Sequence, residues 1–292
     1  MSQTNIDQWT TRRLLAWLTK HFENHAIESA RLISEMLLTH LFGGERIDLY
    51  ANVDRIATDE ERKILRDCVK RVVNHEPVQY VVGKAWFYGM EFHVNSSTLI
   101  PRSCTEVLVE QALQHAPQYT TETLRIADIG TGTGCIAVTI AKNLDATIVA
   151  TDISQEALEL AERNAIQHGV AEQIQFVKGD GITPIESQEC FHILCSNPPY
   201  IPNAEMATLD KNVGEWEPKL ALAGGEDGLG VIRPLLEKAP NMLVEGGILL
   251  IEIASSIRND VLDLAQDNPL LKRPKILRDQ FGDDRFLRAE KG

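Results

Sequence analysis

Leu124-Arg125-Ile126-Ala127-Asp128-Ile129-Gly130-Thr131-Gly132-Thr133-Gly134-Cys135-Ile136-Ala137-Val138 is the stretch on which the fold turns. Its first six residues form a short apolar run that reads as a strand, and Cys135–Asn143 reads as a helix. Between them, Gly130, Gly132 and Gly134, interleaved with Thr131 and Thr133, allow a tight turn and a close approach of backbone to a ligand. The helix start near Gly134 is expected to present free N–H groups, although many α/β folds need such a turn for packing alone. Outward from this point, short apolar runs alternate with helical ones. Thr147–Thr151, Ile174–Val177, His192–Cys195 and Ile248–Ile253 read as strands, and Gln155–His168 and Leu229–Leu243 as helices between them. Alternation of this kind predicts an α/β fold whose parallel sheet is covered on both faces.

Upstream the pattern is different. From Trp9 to about Val73, apolar residues such as Leu14, Leu15, Leu18, Ile33, Leu37, Leu65, Val69 and Val72 recur at helical spacing and predict a small bundle. Gly43-Gly44 ends one helix, and Thr58, followed by Glu60 and Glu61, starts another. Residues 80–100 are rich in aromatic and β-branched side chains with glycine turns, which reads as a β-hairpin linker closed by Pro101. The expected organisation is a helical domain over 1–79, the hairpin linker over 80–100 and an α/β domain over 101–292.

Composition narrows the function classes. With 43% hydrophobic and 24% charged residues, the chain is globular. It lacks an apolar run near the roughly 18 residues of a membrane span, and its first residues resemble no targeting segment, so a cytoplasmic protein is expected. Cys68, Cys104, Cys135, Cys190 and Cys195 are scattered without a C-x-x-C pair, which predicts reduced thiols. His21 and His25 stand four apart but lack a third ligand, so no metal is expected. Residues 1–82 hold 11 Lys+Arg against 12 Asp+Glu, and residues 83–292 hold 18 against 30. The net of −12 in the larger part makes it a poor surface for nucleic-acid phosphates. Arg62, Lys63, Arg66 and Lys70 form a basic stripe on one helix, either a docking face or an ordinary solvated one.

Two further features carry chemistry. Asp152 ends the second strand, 20 residues after Gly132, where a carboxylate can accept hydrogen bonds from both hydroxyls of a ribose. The G-x-G-x-G spacing is one residue tighter than the dinucleotide pattern. Together with Asp128 on the strand, it resembles the S-adenosylmethionine loop of the Rossmann-like methyltransferases. That resemblance implies cofactor contacts from Gly130, Thr131, Gly132, Thr133, Gly134, Asp152 and Asn197, with Asp180 and Gly181 at the adenine. Asn197-Pro198-Pro199-Tyr200 follows the fourth strand. Its prolines fix the backbone and donate no N–H, leaving carbonyls free to accept, while Asn197 adds an acceptor and Tyr200 a flat ring. Such a turn suits a planar NH₂ group aimed at a methyl donor; the blander reading is an Asx-type turn beside a buried tyrosine.

The N-P-P-Y turn on this fold resembles the amino-methyltransferases. More narrowly, Glu76-Pro77-Val78-Gln79-Tyr80, Phe87-Tyr88-Gly89, Leu99-Ile100-Pro101-Arg102, Glu217-Pro218, Leu220–Gly225, Asp227-Gly228-Leu229 and Gly282–Arg285 resemble the peptide chain release factor glutamine methyltransferase (PrmC/HemK) family over nearly the whole chain. The resemblance implies methyl transfer from S-adenosylmethionine to a glutamine side-chain amide, with a release factor as protein partner and the enzyme acting as a monomer. Asn197, Pro198 and Tyr200 would be catalytic, and Asn197, Pro198, Pro199 and Tyr200 would bind substrate. Ser103-Cys104 stands where the family has Pro-Glu, and Ala254 and Ile257 replace its Gly and Gln. Pro101-Arg102-Ser103, with the preceding Ala85-Trp86-Phe87, leans toward the sister family that methylates a ribosomal-protein glutamine. A nucleic-acid adenine methyltransferase uses the same turn on a flipped base and is the other alternative.

Overall fold

The computed structural model describes residues 8–119, 123–187 and 190–292, and the chain divides by its internal contacts into two units, 1–83 and 84–292. The first is helical: α1 Thr11–Asn24, α2 Ala30–Phe42, α3 Arg46–Ala51, α4 Asp59–Val73 and α5 Val78–Val82. Leu14, Leu15, Leu18, Phe22, Leu37, Leu38, Leu65, Val69 and Val72 form its core, so the helical periodicity corresponds to one buried stripe per helix. Gly43 caps α2 at φ 73°. Thr58 starts α4 with a reciprocal capping box: its hydroxyl accepts from the Glu61 N–H at 3.2 Å, and the Glu61 carboxylate accepts from the Thr58 N–H at 2.8 Å.

The second unit comprises β1 Lys84–Phe87, β2 Met90–His93, α6 Glu106–His115, β3 Leu124–Ile129, α7 Cys135–Asn143, β4 Ala146–Asp152, α8 Gln155–Gln167, β5 Ile174–Lys178, β6 Phe191–Ser196, α9 Lys211–Gly214, α10 Ile232–Met242, β7 Leu243–Glu252, α11 Arg258–Asp267, β8 Leu271–Arg278 and β9 Asp284–Lys291. The large sheet has the order β5-β4-β3-β6-β7-β9-β8. Five strands are parallel, but β9 pairs antiparallel with β7 and β8, so the sheet is mixed where a parallel one was expected. β8 and β9 lack continuous apolar runs, and Lys, Arg and Glu hide them from hydropathy reading.

Alternate residues along each parallel strand enter opposite cores. Ile126, Ile148, Ile193, Cys195, Ile248 and Leu250 pack with α6 and α7, while Ala127, Ile129, Val149, Leu194, Leu249 and Ile251 pack with α10 and α11. Residues 80–82, expected to open the hairpin linker, instead complete α5, and the hairpin is Lys84–His93. Its Phe87 and Phe92 are buried in the same core as Leu108 and Ile136, so it is part of the second unit. Tyr88 and Gly89 make its two-residue turn at φ 52° and 73°, and the Glu106 carboxylate accepts the Tyr88 N–H at 2.7 Å. Among the described residues, no helix is long and apolar enough to cross a membrane.

Candidate active site

The loop between β3 and α7 follows from its glycines. Gly130, Gly132 and Gly134 have φ of 73°, 55° and 78°. A Cβ at Gly130 or Gly132 would meet nothing within 4 Å, whereas one at Gly134 would stand 3.0 Å from the Ala161 Cβ. The first two keep a cavity clear. Gly134 lets α7 lie against α8 and stands behind the lining residues.

Four of the loop amides are already engaged. Those of Gly130 and Thr131 donate to the Thr151 carbonyl at 2.9 and 2.8 Å, that of Gly132 to Asp152 Oδ2 at 2.9 Å, and that of Gly134 to the Thr131 carbonyl at 2.9 Å. At the helix start the Ala137 N–H donates to Asp128 Oδ2 at 3.2 Å. Of the N–H groups expected to be free at the helix start, those of Gly134 and Ala137 are therefore engaged within the loop, and these bonds give the loop a fixed shape. Asp128 is fully buried and also accepts the Thr131 hydroxyl at 2.6 Å. Burial pushes its carboxyl up to about 6.

Asp152 sits at the C-terminal end of β4, with Oδ1 accepting from the Ser154 N–H at 2.9 Å. Each of its oxygens retains a second lone pair, and the residue lines the cavity. Asp180 and Gly181 line the same cavity, and Gly181 is fixed by the Thr151 hydroxyl, which donates to its carbonyl at 3.0 Å. The cavity measures about 720 Å³, and Gly130, Thr131, Gly132, Thr133, Asp152, Asn197, Pro198 and Pro199 all line it. Two of the sequence-derived residues, Gly134 and Tyr200, do not.

Asn197 follows directly on β6, whose last residue, Ser196, donates its hydroxyl to the Ile129 carbonyl at 2.8 Å and so ties this turn to the glycine loop. Asn197 Nδ2 donates to the Thr105 hydroxyl oxygen at 3.2 Å, and that hydroxyl donates to Glu252 Oε2 at 2.7 Å. The Tyr200 hydroxyl donates to Glu252 Oε1 at 3.2 Å. Burial, reinforced by the Glu252 charge, pushes the Tyr200 phenol well above its ordinary range. Burial also raises the Glu252 carboxyl, against the pull of Thr105, Arg285 and Tyr200.

The residues behind the turn are small for a reason. A Cβ at Gly224 would lie 2.7 Å from the Tyr200 backbone, and one at Gly228 would lie 2.6 Å from the Tyr200 carbonyl oxygen. Ile201 bonds across to this segment, its N–H donating to the Leu222 carbonyl at 3.0 Å and its carbonyl accepting from Gly224 at 2.8 Å. Glu217, buried, accepts the Ile100 N–H at 3.3 Å and pairs with Arg102 on the cavity rim. Thr105 and Glu252 were not among the expected site residues. Glu252 could have been noticed as the acid that directly follows the apolar run Ile248–Ile251.

These residues fit S-adenosylmethionine. A carboxylate with lone pairs to spare suits ribose hydroxyls, two open glycines leave room for a ligand, and Ile129, Ile136, Ile153 and Ala157 supply apolar wall. A Rossmann-like sheet bearing this cavity at the C-terminal ends of β3, β4 and β6 defines an S-adenosylmethionine-dependent methyltransferase. Residues 102–213 match the family model described as methyltransferase small domain, and residues 13–83 match the PrmC N-terminal domain. The chain is 40% identical over 257 residues to the release factor glutamine methyltransferase of Geobacter sulfurreducens, covering 88% of each chain. It is 36% identical to that of Rhodopirellula baltica over 100% of both. The chain belongs to the release factor glutamine methyltransferase family. Among solved structures, the hMettl16 catalytic domain is similar in fold, with a TM-score of 0.52 at 14% identity over 82% of this chain and 84% of that one.

Proposed function

We propose that this chain transfers the methyl group of S-adenosylmethionine to the side-chain amide nitrogen of a glutamine in peptide chain release factors, the activity for which its relatives are named. One cavity holds both the glycine loop with Asp152 and the Asn197–Pro199 turn, and this juxtaposition carries the reading. In it Asp152 would accept the ribose hydroxyls of a bound cofactor and Asp180 and Gly181 would hold the adenine, with Gly130, Thr131, Gly132 and Thr133 lining the cavity and Gly134 seating α7 behind it.

Bound S-adenosylmethionine supplies an electrophilic methyl group. An amide nitrogen is a poor nucleophile because its lone pair is delocalised, so the protein's task is orientation. Asn197 Oδ1 and the Pro198 carbonyl accept the two amide hydrogens, which fixes the nitrogen and favours localisation of its lone pair as the new bond forms. Pro199 keeps the turn rigid, and Tyr200, which lies outside the cavity lining and is held at its hydroxyl by Glu252, anchors the end of the turn. The proton leaves after attack. The helical unit, which the sheet does not need for methyl transfer, recognises the protein substrate.

Incubation with methyl-labelled S-adenosylmethionine and, side by side, purified release factors, ribosomal proteins and DNA tests this. Label on a release-factor glutamine is the expected result. Label only on a ribosomal protein would move the chain to the sister activity toward which Pro101-Arg102-Ser103 leans, and label only on DNA would overturn the reading, against the −12 balance of residues 83–292. Asn197→Ala should lower the rate at least 100-fold with cofactor affinity largely kept.

A further inference from the structure

Glu252 is fully buried at the end of β7, next to the strand that leads into Asn197. It receives three side-chain donors: the Thr105 hydroxyl at 2.7 Å, the Tyr200 hydroxyl at 3.2 Å and, more weakly, the Cys104 thiol at 3.9 Å. Arg285 adds positive charge nearby. With the Thr105 and Tyr200 hydroxyls and the Cys104 thiol all donating to its two oxygens, Glu252 serves its neighbours as an acceptor. Thr105 has a single hydroxyl hydrogen. Once that hydrogen points at Glu252, the hydroxyl can only accept from Asn197, 3.2 Å away. Asn197 must then turn its NH₂ toward Thr105, which leaves its carbonyl oxygen for the cavity that it lines.

Without this constraint the Asn197 amide has two nearly isosteric orientations, and the wrong one would present NH₂ to an incoming NH₂. We infer that Glu252 and Thr105 are positioning residues, forming a relay of hydrogen-bond polarity that holds Asn197 as an acceptor and so selects a methyl acceptor bearing N–H. The relay rests on the reading that Asn197 receives the substrate amide. As the nitrogen bonds to the methyl carbon it gains positive charge, its hydrogens become stronger donors, and the contact with Asn197 strengthens. Loss of the relay therefore falls mainly on kcat.

The test measures kcat and KM on a glutamine peptide, with S-adenosylmethionine affinity by calorimetry, for Thr105→Val, Thr105→Ser, Glu252→Gln and the Thr105→Val/Glu252→Gln pair in the full chain. Thr105→Val keeps the shape and removes the hydroxyl. Its kcat should fall at least 30-fold, with KM and cofactor affinity within about threefold, and Thr105→Ser should recover at least a third of the wild-type rate. Glu252→Gln can accept from only one of Thr105 and Tyr200 and should lose at least tenfold. Because the two residues act as one unit, the double variant should fall no more than about threefold below Thr105→Val. Thr105→Val retaining over a third of the wild-type kcat, or losses that multiply in the double variant, would overturn the relay. Should Glu252→Gln fail to fold by thermal melting, the valine and serine pair decides alone. Asn197→Ala separates the levels: if it stays active, the reading of Asn197 fails; if it is dead while Thr105→Val is active, only the relay fails.

Discussion

Gly224→Ala adds one methyl group at a distance from the chemistry and should nevertheless suppress it. The new Cβ would stand 2.7 Å from both Cα and the carbonyl carbon of Tyr200, and 2.9 Å from the Gly228 Cα. All three are backbone atoms, so no side chain can swing aside. Relaxing the first contact from 2.7 Å to an ordinary 3.4 Å moves the Tyr200 backbone by about 0.7 Å, and Pro198 and Pro199 pass that shift on because their φ angles are fixed. Overpacking of this kind costs about 1–3 kcal/mol of stability. A displacement approaching 1 Å at a positioning group costs about 100-fold in rate. The assay is methyl transfer to a glutamine peptide under saturating cofactor, with thermal melting and calorimetric cofactor affinity alongside. A folded variant with kcat reduced at least 30-fold and S-adenosylmethionine affinity within threefold is expected, because Asp152 and the glycine loop are untouched. Wild-type kcat with unchanged melting would refute the idea that backbone contact with residues 224–228 sets the position of the turn.

Asp152→Ala should weaken S-adenosylmethionine binding by calorimetry, since hydrogen bonds to a charged carboxylate are worth about 1.5–3 kcal/mol each; unchanged affinity would place the ribose elsewhere. Gly132→Val should abolish cofactor binding, because its side chain would project into the open cavity and its φ of 55° is strained for valine, whereas Gly134→Ala should mainly lower the melting temperature through its contact with Ala161. Asp128, raised from 3.8 to about 6, favours the fold while protonated, so its contribution is present below its unfolded pKa and lost as pH rises through about 6. Denaturant titrations should therefore show Asp128→Asn gaining on the wild type between about pH 4 and pH 7, by at most about 3 kcal/mol, and a pH-independent difference would rule the effect out. On α4, Arg62 and Lys70 are paired with Asp59 and Asp67, so the basic stripe is carried by Lys63 and Arg66. Reversing these two to Glu should slow association with an acidic protein substrate, fading as salt is raised, while a short glutamine peptide is methylated as before; equal slowing of both, or of neither, would remove the stripe as a docking face.

The parts of the fold that sequence reveals are those where a local rule and the tertiary structure agree. β3, α7 and the glycines between them could be read residue by residue because a parallel strand buried on both faces is mostly apolar, and the turn needs positive φ. β8 and β9 could not, since Leu271–Arg278 carries Lys272, Arg273 and Lys275 on an outer strand and a proline at 274. Tyr80–Val82 is aromatic and β-branched and reads as strand, yet Val81 and Val82 pack into the core of the helical unit and tertiary packing overrides propensity. In the site, Asp152 and Asn197–Pro199 are marked by unusual residues at fixed offsets. Thr105 and Glu252 lie 147 positions apart and meet only in space, which periodicity and spacing do not report.

The order of strands in the sheet also bears on synthesis. β9 is last in the chain but sits between β7 and β8, whereas β5, β4, β3, β6 and β7 can assemble in the order they emerge, apart from one reversal. Translation proceeds at about 5–20 residues per second, so a nascent chain that has reached Glu252 keeps the β7 edge bare for several seconds before Asp284–Lys291 arrives to cover it. During that interval Ile248–Ile251 offers an unpaired apolar strand, the kind of template on which chains stick to one another. Yield of native protein should thus depend on how promptly the final strand is delivered, independently of how stable the finished sheet is.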